Sequence, residues 1–309
     1  MSGQPAARLG DMIACAIPQA TPAALPHAPP PGLPIVSTGE ATVLIDGKPA
    51  ARMTDQSLCV APVPTPNPIT KGAFPVPIGK LPAARMTDSA THPGSCITGP
   101  CCPKVLIGLA GTTGNPRLGT MACQAAAAGR SSGATSQSFN NCGVESSRQI
   151  INQANGSNVG EGALLQNAIN NGFATGTPGS PPVFANGGTG PAGRQSILAG
   201  ATPPIASTVQ SSNLTNIGLA SSQGQGVIAN LDAALLWNNV PGVATPPPGS
   251  FHAVVVTGVD YDDAGNPVNV IINDTGTGQC GRRVPAAQWN QAVGAHSAPA
   301  LNVTSNPIW

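Results

Sequence analysis

Three residues whose types cooperate in nucleophilic catalysis follow one another in the second half of the chain. Cys142, followed by glycine, stands where the Asn-rich stretch "QSFNN" turns into a predicted helix, and His252 and Asp274 come later. A thiol attacks as a thiolate, which a neighbouring base maintains, and a third group orients that base. By itself, Cys142 is equally explained as a buried small residue or a metal ligand. The elements that carry the three residues decide between these interpretations.

Two predicted strands bring the histidine and the aspartate together. "FHAVVVTGVDYD" carries His252 near its start, "PVNVIINDTG" carries Asp274 near its end, and "DDAGNP" between them is a turn signal. In an antiparallel hairpin the start of one strand lies beside the end of the next, so we expect both side chains at one edge of the sheet. Cys142 is expected at a helix N-terminus, where the helix dipole lowers the pKa of a thiol.

The remainder of this half predicts an α+β domain. Helices are predicted over 144–155, 160–172 and 224–239, each with apolar markers and a glycine or proline near its end. The stretch 173–222, rich in Gly, Ser, Pro and Thr, receives no assignment. His296 lies in a Pro/Ala/Ser-rich tail without a partner pattern, and we expect it on the surface.

The phrases "CGVESSRQI", "HAVVVTGVD" and "IINDTG" resemble the bacteriocin-leader-processing branch of the papain-like cysteine peptidases, over most of 137–293. The resemblance implies a papain-like domain over 136–309. In it Cys142 is the nucleophile, His252 the general base and then the acid, and Asp274 the group that orients the histidine.

The resemblance also implies that Gln137 donates a side-chain hydrogen bond to the oxyanion, beside the backbone amide of Cys142. The family's glutamine usually stands one residue further from the cysteine than the five-residue interval found here. Asn140 or Asn141 is therefore an alternative donor.

The other cysteines are expected to be reduced. The eight cysteines of the chain do not form the even pattern of a small disulfide scaffold, and a reducing cytosol favours thiols, metal ligands or a nucleophile. Cys123 is predicted as a buried or spare thiol, and Cys280 as a loop thiol or a decoy nucleophile.

A repeated phrase organises the first hundred residues. It occurs as "PAARLGD" at 5–11 and as "PAARMTD" at 49–55 and 82–88, and the strand-like phrases "TVLIDGK" and "PVPIGKL" precede the second and third copies. Such recurrence indicates an internal structural repeat. Short hairpins at three similar stations predict a tapered, all-β prism.

From Gln4 to about Gly111 the chain resembles the PAAR-repeat proteins, which form the cone that caps the trimeric spike of type VI secretion systems. The resemblance implies a spike-tip domain over 1–111. The stretch 112–135, rich in small residues, is predicted as a linker that contains a short helix ending at Gly129.

Four residues in loops after the repeats form a candidate metal site. They are Cys15, His27, Cys59 and His92, and the family resemblance implies that these stations bind zinc. Two thiolates and two imidazoles suit a structural zinc ion, which a small taper needs because it buries little apolar surface. The alternative is that the cysteines pack as small hydrophobes and the histidines lie on the surface. Cys96 is a further candidate ligand.

Composition narrows the possible partners. The chain of 309 residues has 13 Lys+Arg against 12 Asp+Glu, a balance that argues against nucleic-acid binding through a basic face. We find no run of apolar residues long enough to span a membrane. The N-terminus lacks the basic and apolar regions of a cleaved signal peptide, so we expect synthesis in the cytoplasm and export by another route.

Together, the two resemblances imply a multidomain type VI secretion effector. Its expected partners are the trimeric spike protein (VgrG), a cognate immunity protein, and a protein or peptide substrate whose amide bond it cleaves in a target bacterium. The same three catalytic residues also suit a peptidoglycan amidase, a deamidase or an acyltransferase. A non-enzymatic tip that carries separate cargo is the alternative outside the enzyme class.

Overall fold

The computed structural model describes residues 3–18, 26–59, 65–176 and 187–309, with the backbone alone at 16–18 and 26–31. The chain divides into a first unit, Met1–Thr112 with Tyr261–Asn266, and a second unit, Thr113–Asp260 with Pro267–Trp309. The predicted linker thus belongs almost entirely to the second unit, and it contains the expected helix, which ends before Gly129. None of the helices in the described ranges has the length and hydropathy that a membrane crossing requires.

The described part of the first unit consists of strands and turns without a helix. Its strands are β1 (Gln4–Ala6), β2 (Met12–Pro18), β3 (Pro26–Pro34), β4 (Glu40–Ile45), β5 (Lys48–Ala50), β6 (Gln56–Cys59), β7 (Thr65–Pro68), β8 (Ala73–Ile78), β9 (Leu81–Ala83), β10 (Cys96–Gly99) and β11 (Cys102–Ile107). Strands β4–β5, β6–β7 and β8–β9 form two-stranded hairpins, β10, β2 and β3 form a three-stranded sheet, and β1 pairs with β11. The strand-rich character predicted for this region is confirmed, whereas the tapered outline stays a prediction.

The second alanines of the three repeats meet in a closed ring of backbone hydrogen bonds. The amide of Ala7 donates to the carbonyl of Ala84 (2.9 Å), that of Ala51 to Ala7 (2.9 Å), and that of Ala84 to Ala51 (3.0 Å). All three side chains are buried. Alanine suits this position because three chain segments approach one another there and leave no space for a larger side chain.

The arginine of each repeat pairs with the aspartate three residues later. The pairs are Arg8–Asp11, Arg52–Asp55 and Arg85–Asp88, and in each the aspartate also accepts the backbone amide of its arginine at 2.7–2.8 Å. The turn inside each pair has one residue with positive φ, namely Gly10, Thr54 or Thr87. The repeated phrase therefore encodes one buried, charge-assisted turn three times.

The second unit is built on a β-sheet with helices packed against it. Its elements are β12 (Gly111–Gly114, which begins at the end of the first unit), α1 (Pro116–Ala128), α2 (Cys142–Asn155), α3 (Glu161–Asn170), α4 (Pro191–Ala199), β13 (Ser207–Ser211), α5 (Leu214–Ser222), β14 (Gln225–Asp232), α6 (Ala233–Leu236), β15 (Phe251–Tyr261), β16 (Pro267–Asp274), β17 (Gln279–Pro285), α7 (Ala286–Gly294) and β18 (Ala300–Pro307). The strand order is β13-β18-β14-β15-β16-β17, with β12 paired to β15. Ile150, Leu165, Ile197 and Val255 lie in its main apolar core, which joins α2, α3 and α4 to the sheet.

The predicted helices over 144–155 and 160–172 and the hairpin that carries His252 and Asp274 are confirmed. The helix predicted over 224–239 is wrong, because β14 occupies Gln225–Asp232 and only the short α6 follows it. Strand β14 lies between β18 and β15 and is buried along almost its whole length, so its sequence lacks the alternation of a half-exposed strand. A continuous apolar run of this kind does not distinguish a central strand from a buried helix.

The expectation that Cys123 and Cys280 are reduced is wrong. Their sulfurs form a disulfide that joins α1 to β17 across 157 residues of sequence. No local pattern reveals a pair at such a separation, and the argument from a reducing cytosol predicted free thiols instead. The bond also removes Cys280 as a competing nucleophile.

We expect the disulfide to stabilise the second unit. Replacing both cysteines by alanine should lower its free energy of unfolding by about 3 kcal/mol, because the crosslink limits the conformations of the unfolded chain. Urea unfolding followed by tryptophan fluorescence measures this directly, since Trp237, Trp289 and Trp309 all lie in the second unit. Reductant should lower the wild-type midpoint similarly and leave that of the double variant unchanged. Equal midpoints for the two non-reduced proteins would contradict the prediction.

Candidate active site and candidate metal site

The loop before α2 holds Cys142 at the first position of that helix. Glu161, at the start of α3, accepts hydrogen bonds from the backbone amides of Ser131 (3.1 Å) and Ser138 (2.8 Å) and from the side chain of Asn141 (3.3 Å). One buried carboxylate thus fixes both ends of this loop. Cys142 itself is partly buried and its thiol is free.

A second buried carboxylate anchors the helix that begins with Cys142. Glu145 lies between two arginines, 3.0 Å from Nε of Arg130 and 2.6 Å from Nε of Arg148. Arg148 also donates to the carbonyls of Ala126 and Val159. A fully buried network of this kind is costly to break, so it keeps the first turn of α2 in one position.

The histidine and aspartate predicted to lie together do so. Nε2 of His252, near the start of β15, lies 2.8 Å from Oδ1 of Asp274 at the end of β16, and both side chains are buried. The same imidazole and the thiol of Cys142 line one cavity, and each shifts the pKa of the other. Because Nε2 is committed to Asp274, Nδ1 is the nitrogen left to face the sulfur. The structure therefore joins the three residues in the order sulfur, imidazole, carboxylate.

Asp274 has further partners that the sequence did not reveal. Nε1 of Trp237 donates to its Oδ2 at 2.7 Å, the backbone amide of Gly276 donates to Oδ1 at 3.0 Å, and Arg282 lies 3.5 Å away. The ring of Trp237 also contacts the imidazole of His252 edge-on, with 5.0 Å between centroids. Trp237 thus fixes both members of the pair, from a position that no motif marks.

Cys142 and His252 form a charged pair, and the carboxylate of Asp274 is hydrogen-bonded to the imidazole of that pair. Burial raises the pKa of the Cys142 thiol, but the hydrogen bond and charge of His252, the amide of Ala253 and the charge of Arg194 outweigh burial and bring this pKa below its ordinary value. Burial lowers the pKa of His252, yet Asp274 and the thiolate outweigh it and raise that pKa to about 10. Both shifts favour a thiolate beside an imidazolium over two neutral groups.

The three predicted oxyanion donors differ in their hydrogen-bond partners and in their position relative to Cys142. Nε2 of Gln137 donates to the carbonyl of Phe139 (2.8 Å), and its Oε1 accepts from the hydroxyl of Thr275 (2.7 Å). Asn141 is buried and bonded to Glu161 through Nδ2. Asn140 lines a cavity beside Cys142.

That cavity, of about 370 Å³, opens in front of Cys142 and His252. The segment Gly188–Pro191 lines it together with Phe251 and the stretch 296–298. His296 is only 8% exposed, so its predicted surface position is wrong. Its ring centroid lies 4.4 Å from that of Phe251.

Phe251 is 64% exposed at the rim and offers an apolar surface to a ligand. Burial and then the charge of Arg194 lower the pKa of His296, so this imidazole is neutral near pH 7. Its Nδ1 accepts the amide of Ala298 at 3.0 Å, which places the proton on Nε2.

In the first unit, three of the four predicted metal ligands lie together. The sulfurs of Cys15 and Cys59 and a ring nitrogen of His92 lie within 4.8 Å of one another, and Cys59 Sγ is 3.3 Å from His92 Nδ1. Burial, and then the neighbouring Cys15, raises the pKa of the Cys59 thiol, as expected for two apposed thiols that a cation would deprotonate. The donor set fits three corners of a tetrahedral zinc site. The side chain of His27 lies outside the described residues.

The other candidate ligand, Cys96, is not part of this group. It begins β10, where it pairs with Ala14 of β2, and its thiol is half-buried. Within the described part of the chain, no fourth cysteine, histidine or carboxylate joins the three grouped ligands.

Comparison with known proteins gives results for both units. Residues 1–63 and 25–98 match the PAAR motif family model. No curated protein matches the chain in sequence. Among solved structures, a crystal structure of a C39-like peptidase from Bacillus anthracis aligns with 54% of this chain and 90% of its own length, at 17% identity and a TM-score of 0.38. The chain thus carries PAAR motifs in its N-terminal third and has a C39-like peptidase among its structural neighbours.

Proposed function

We propose that this protein is a type VI secretion effector. Its first unit caps the trimeric spike protein (VgrG), and its second unit hydrolyses an amide bond in a target bacterium. The observation that carries the proposal is that Cys142 and His252 line one cavity and that His252 is hydrogen-bonded to Asp274, in a chain that also contains PAAR motifs.

The reaction uses the charged pair directly. The Cys142 thiolate attacks the carbonyl carbon, a C–S bond forms, and the carbonyl electron pair moves to oxygen. The backbone amide of Cys142 and a side-chain amide, from Gln137, Asn140 or Asn141, stabilise that oxyanion.

The imidazolium of His252 then protonates the leaving nitrogen, the C–N bond breaks, and a thioester remains. Neutral His252 next removes a proton from water, whose oxygen attacks the thioester carbonyl. The C–S bond then breaks, the carboxylic acid leaves, and Cys142 returns to a thiolate beside the imidazolium. Asp274 stays ionised throughout, because His252 and the hydrogen bond from Trp237 outweigh burial and keep its pKa low.

Near Cys15 and Cys59, a bound metal ion would stabilise the first unit more than apolar packing does. Among the residues whose side chains the structure describes, the apolar cluster around Cys15 and Cys59 contains these two residues and the partly buried Leu33. We propose that zinc binds Cys15, Cys59 and His92, with His27 as the fourth ligand. When bound, the ion supplies crosslinking in place of packing.

The route and the partners are part of the same proposal. The PAAR motifs support export of the protein on the type VI spike. An immunity protein that protects the producing cell is expected to close the cavity in front of Cys142.

A second candidate substrate is favoured by one observation. The disulfide between Cys123 and Cys280 is a bond that persists in oxidising compartments such as the bacterial periplasm. The amide-linked peptides of the cell wall lie in that compartment. A peptidoglycan amidase with the same three residues is therefore the alternative to a protease.

Growth of a susceptible bacterium that produces the full chain tests the proposal. Production in the cytosol is compared with production behind an export signal, each beside Cys142→Ala at matched protein levels. We expect the exported wild-type chain to stop growth and the exported Cys142→Ala chain to be harmless. Equal killing by the two would overturn the proposal, and toxicity confined to the cytosol would exclude a cell-wall substrate.

A further inference from the structure

Arg194 of α4 is a buried guanidinium held by neutral groups. Its side chain is 1% exposed. Nε donates to Oδ1 of Asn302 at 2.8 Å, Nη1 to the carbonyl of Thr189 at 3.2 Å, and Nη2 to Oδ1 of Asn230. Among the described residues, no carboxylate forms an ion pair with it.

The acidic residues of the surrounding elements are engaged elsewhere. Glu145 pairs with Arg130 and Arg148, Glu161 holds the loop before Cys142, Asp232 accepts the amides of Leu235 and Gly249, and Asp274 binds His252. A buried cation without a counter-charge is strongly unfavourable. Burial indeed lowers the pKa of Arg194 to about 10, and the charge that opposes this shift is that of Cys142.

Gly143, directly after Cys142, leaves room for the side chain of Arg194. A β-carbon on Gly143 would lie 2.6 Å from a methyl group of Thr189 and 3.3 Å from Cδ of Arg194. Glycine after the cysteine is thus what allows α4 to pack against the first turn of α2. Cys142 and Arg194 line the same cavity.

We propose that Arg194 is the permanent counter-charge of the reacting sulfur. Among the described residues, the imidazole of His252, from β15, and the guanidinium of Arg194, from α4, are the cationic groups that line the cavity with Cys142. His252 loses its positive charge when it protonates the leaving group, whereas Arg194 keeps its own. Arg194 therefore stabilises the thiolate before it attacks and again when the sulfur leaves the intermediate, because its charge does not change as His252 gains and loses its proton. This role rests on the proposed function of Cys142 as the nucleophile.

The first test gives Arg194 a carboxylate partner without removing any of its hydrogen bonds. Asn230→Asp replaces the amide oxygen that Nη2 already contacts. Alkylation of full-length protein with iodoacetamide at pH 6, followed by mass spectrometry of the Cys142 peptide, reports thiolate reactivity. We expect the rate to fall about tenfold, because the new ion pair cancels the field of Arg194 at the sulfur. The matched control is Asn213→Asp, at the exposed N-cap of α5, where aspartate caps equally well and the rate should not change.

The second test removes the charge itself. Arg194→Met should lower the rate at pH 6 by a similar factor and move the pH profile of alkylation upwards, and Arg194→Lys should restore both. A structural role alone would leave the pH profile of the folded protein unmoved. If folded Arg194→Met alkylates with the wild-type pH profile, the proposal is overturned. Slow alkylation of Asn230→Asp would not support it in that case, because the new carboxylate lines the cavity and can slow alkylation directly.

The wild-type protein separates this proposal from the one it rests on. A Cys142 that alkylates at pH 6 no faster than an ordinary thiol would overturn the nucleophile and, with it, the role of Arg194. A reactive wild-type Cys142 with unchanged Asn230→Asp and Arg194→Met variants would overturn the role of Arg194 alone.

Discussion

Replacing His252 by alanine should reduce kcat/KM for acyl transfer by about 1000-fold or more. The imidazole is the partner through which Cys142 becomes a thiolate, and it also protonates the leaving group, so both halves of the reaction lose their proton carrier. Hydrolysis of a short peptidyl anilide measures the loss, because its amine leaving group needs the proton that His252 donates. Loss of less than tenfold would show that His252 is not the base.

The dependence of activity on pH tests the same roles of Cys142 and His252. In the wild-type protein, activity should fall as the pH drops through the lowered pKa of Cys142, because the thiolate becomes protonated. It should also fall as the pH rises through the pKa of His252, about 10, because the imidazolium loses the proton that it donates. In His252→Ala the acidic limb should move to higher pH, since burial alone raises the pKa of the thiol.

His296 provides the matched control for this experiment. It lies in the same cavity as His252, but its Nδ1 accepts a backbone amide instead of facing a carboxylate. His296→Ala should therefore keep the wild-type shape of the pH profile, with a much smaller loss of rate. A profile that shifts in His296→Ala and not in His252→Ala would exchange the roles of the two histidines.

The sequence was informative where the site depends on local structure. Cys142 begins a helix, and His252 and Asp274 lie at matching ends of one hairpin, so periodicity and a turn signal sufficed to bring them together. The arginine and aspartate of each PAAR phrase likewise meet within one turn. In such cases the spacing along the chain determines the spacing in the fold.

The sequence was uninformative where the site depends on tertiary packing. Trp237 contacts Asp274 from 37 residues away, and His296 reaches the cavity from beyond α7. The disulfide of Cys123 and Cys280 is equally remote in sequence. No single chain carries a local signal for such contacts, and the composition of the tail around His296 suggested a surface position instead.

The metal site depends both on local spacing along the chain and on tertiary packing. Removal of the metal ion should destabilise the first unit more than any single substitution there. We expect about one zinc ion per chain. Chelation should unfold the first unit around Cys15 and Cys59, because structural zinc contributes on the order of 10 kcal/mol in small sites and the described apolar cluster there is small. Metal analysis and limited proteolysis of the full chain measure both effects. Tryptophan fluorescence should not respond, since all three tryptophans lie in the second unit.

Single substitutions identify the ligands. Cys59→Ser should abolish zinc binding, because its sulfur lies in the group with Cys15 and His92. His27→Ala and Cys96→Ala then form a matched pair for the fourth position. We expect the histidine variant to lose zinc and the cysteine variant to retain it, since Cys96 pairs with Ala14 at the start of β10 and lies outside the group. The reverse result would assign the fourth position to Cys96, and zinc retained by Cys59→Ser would show that the three grouped side chains do not hold the ion.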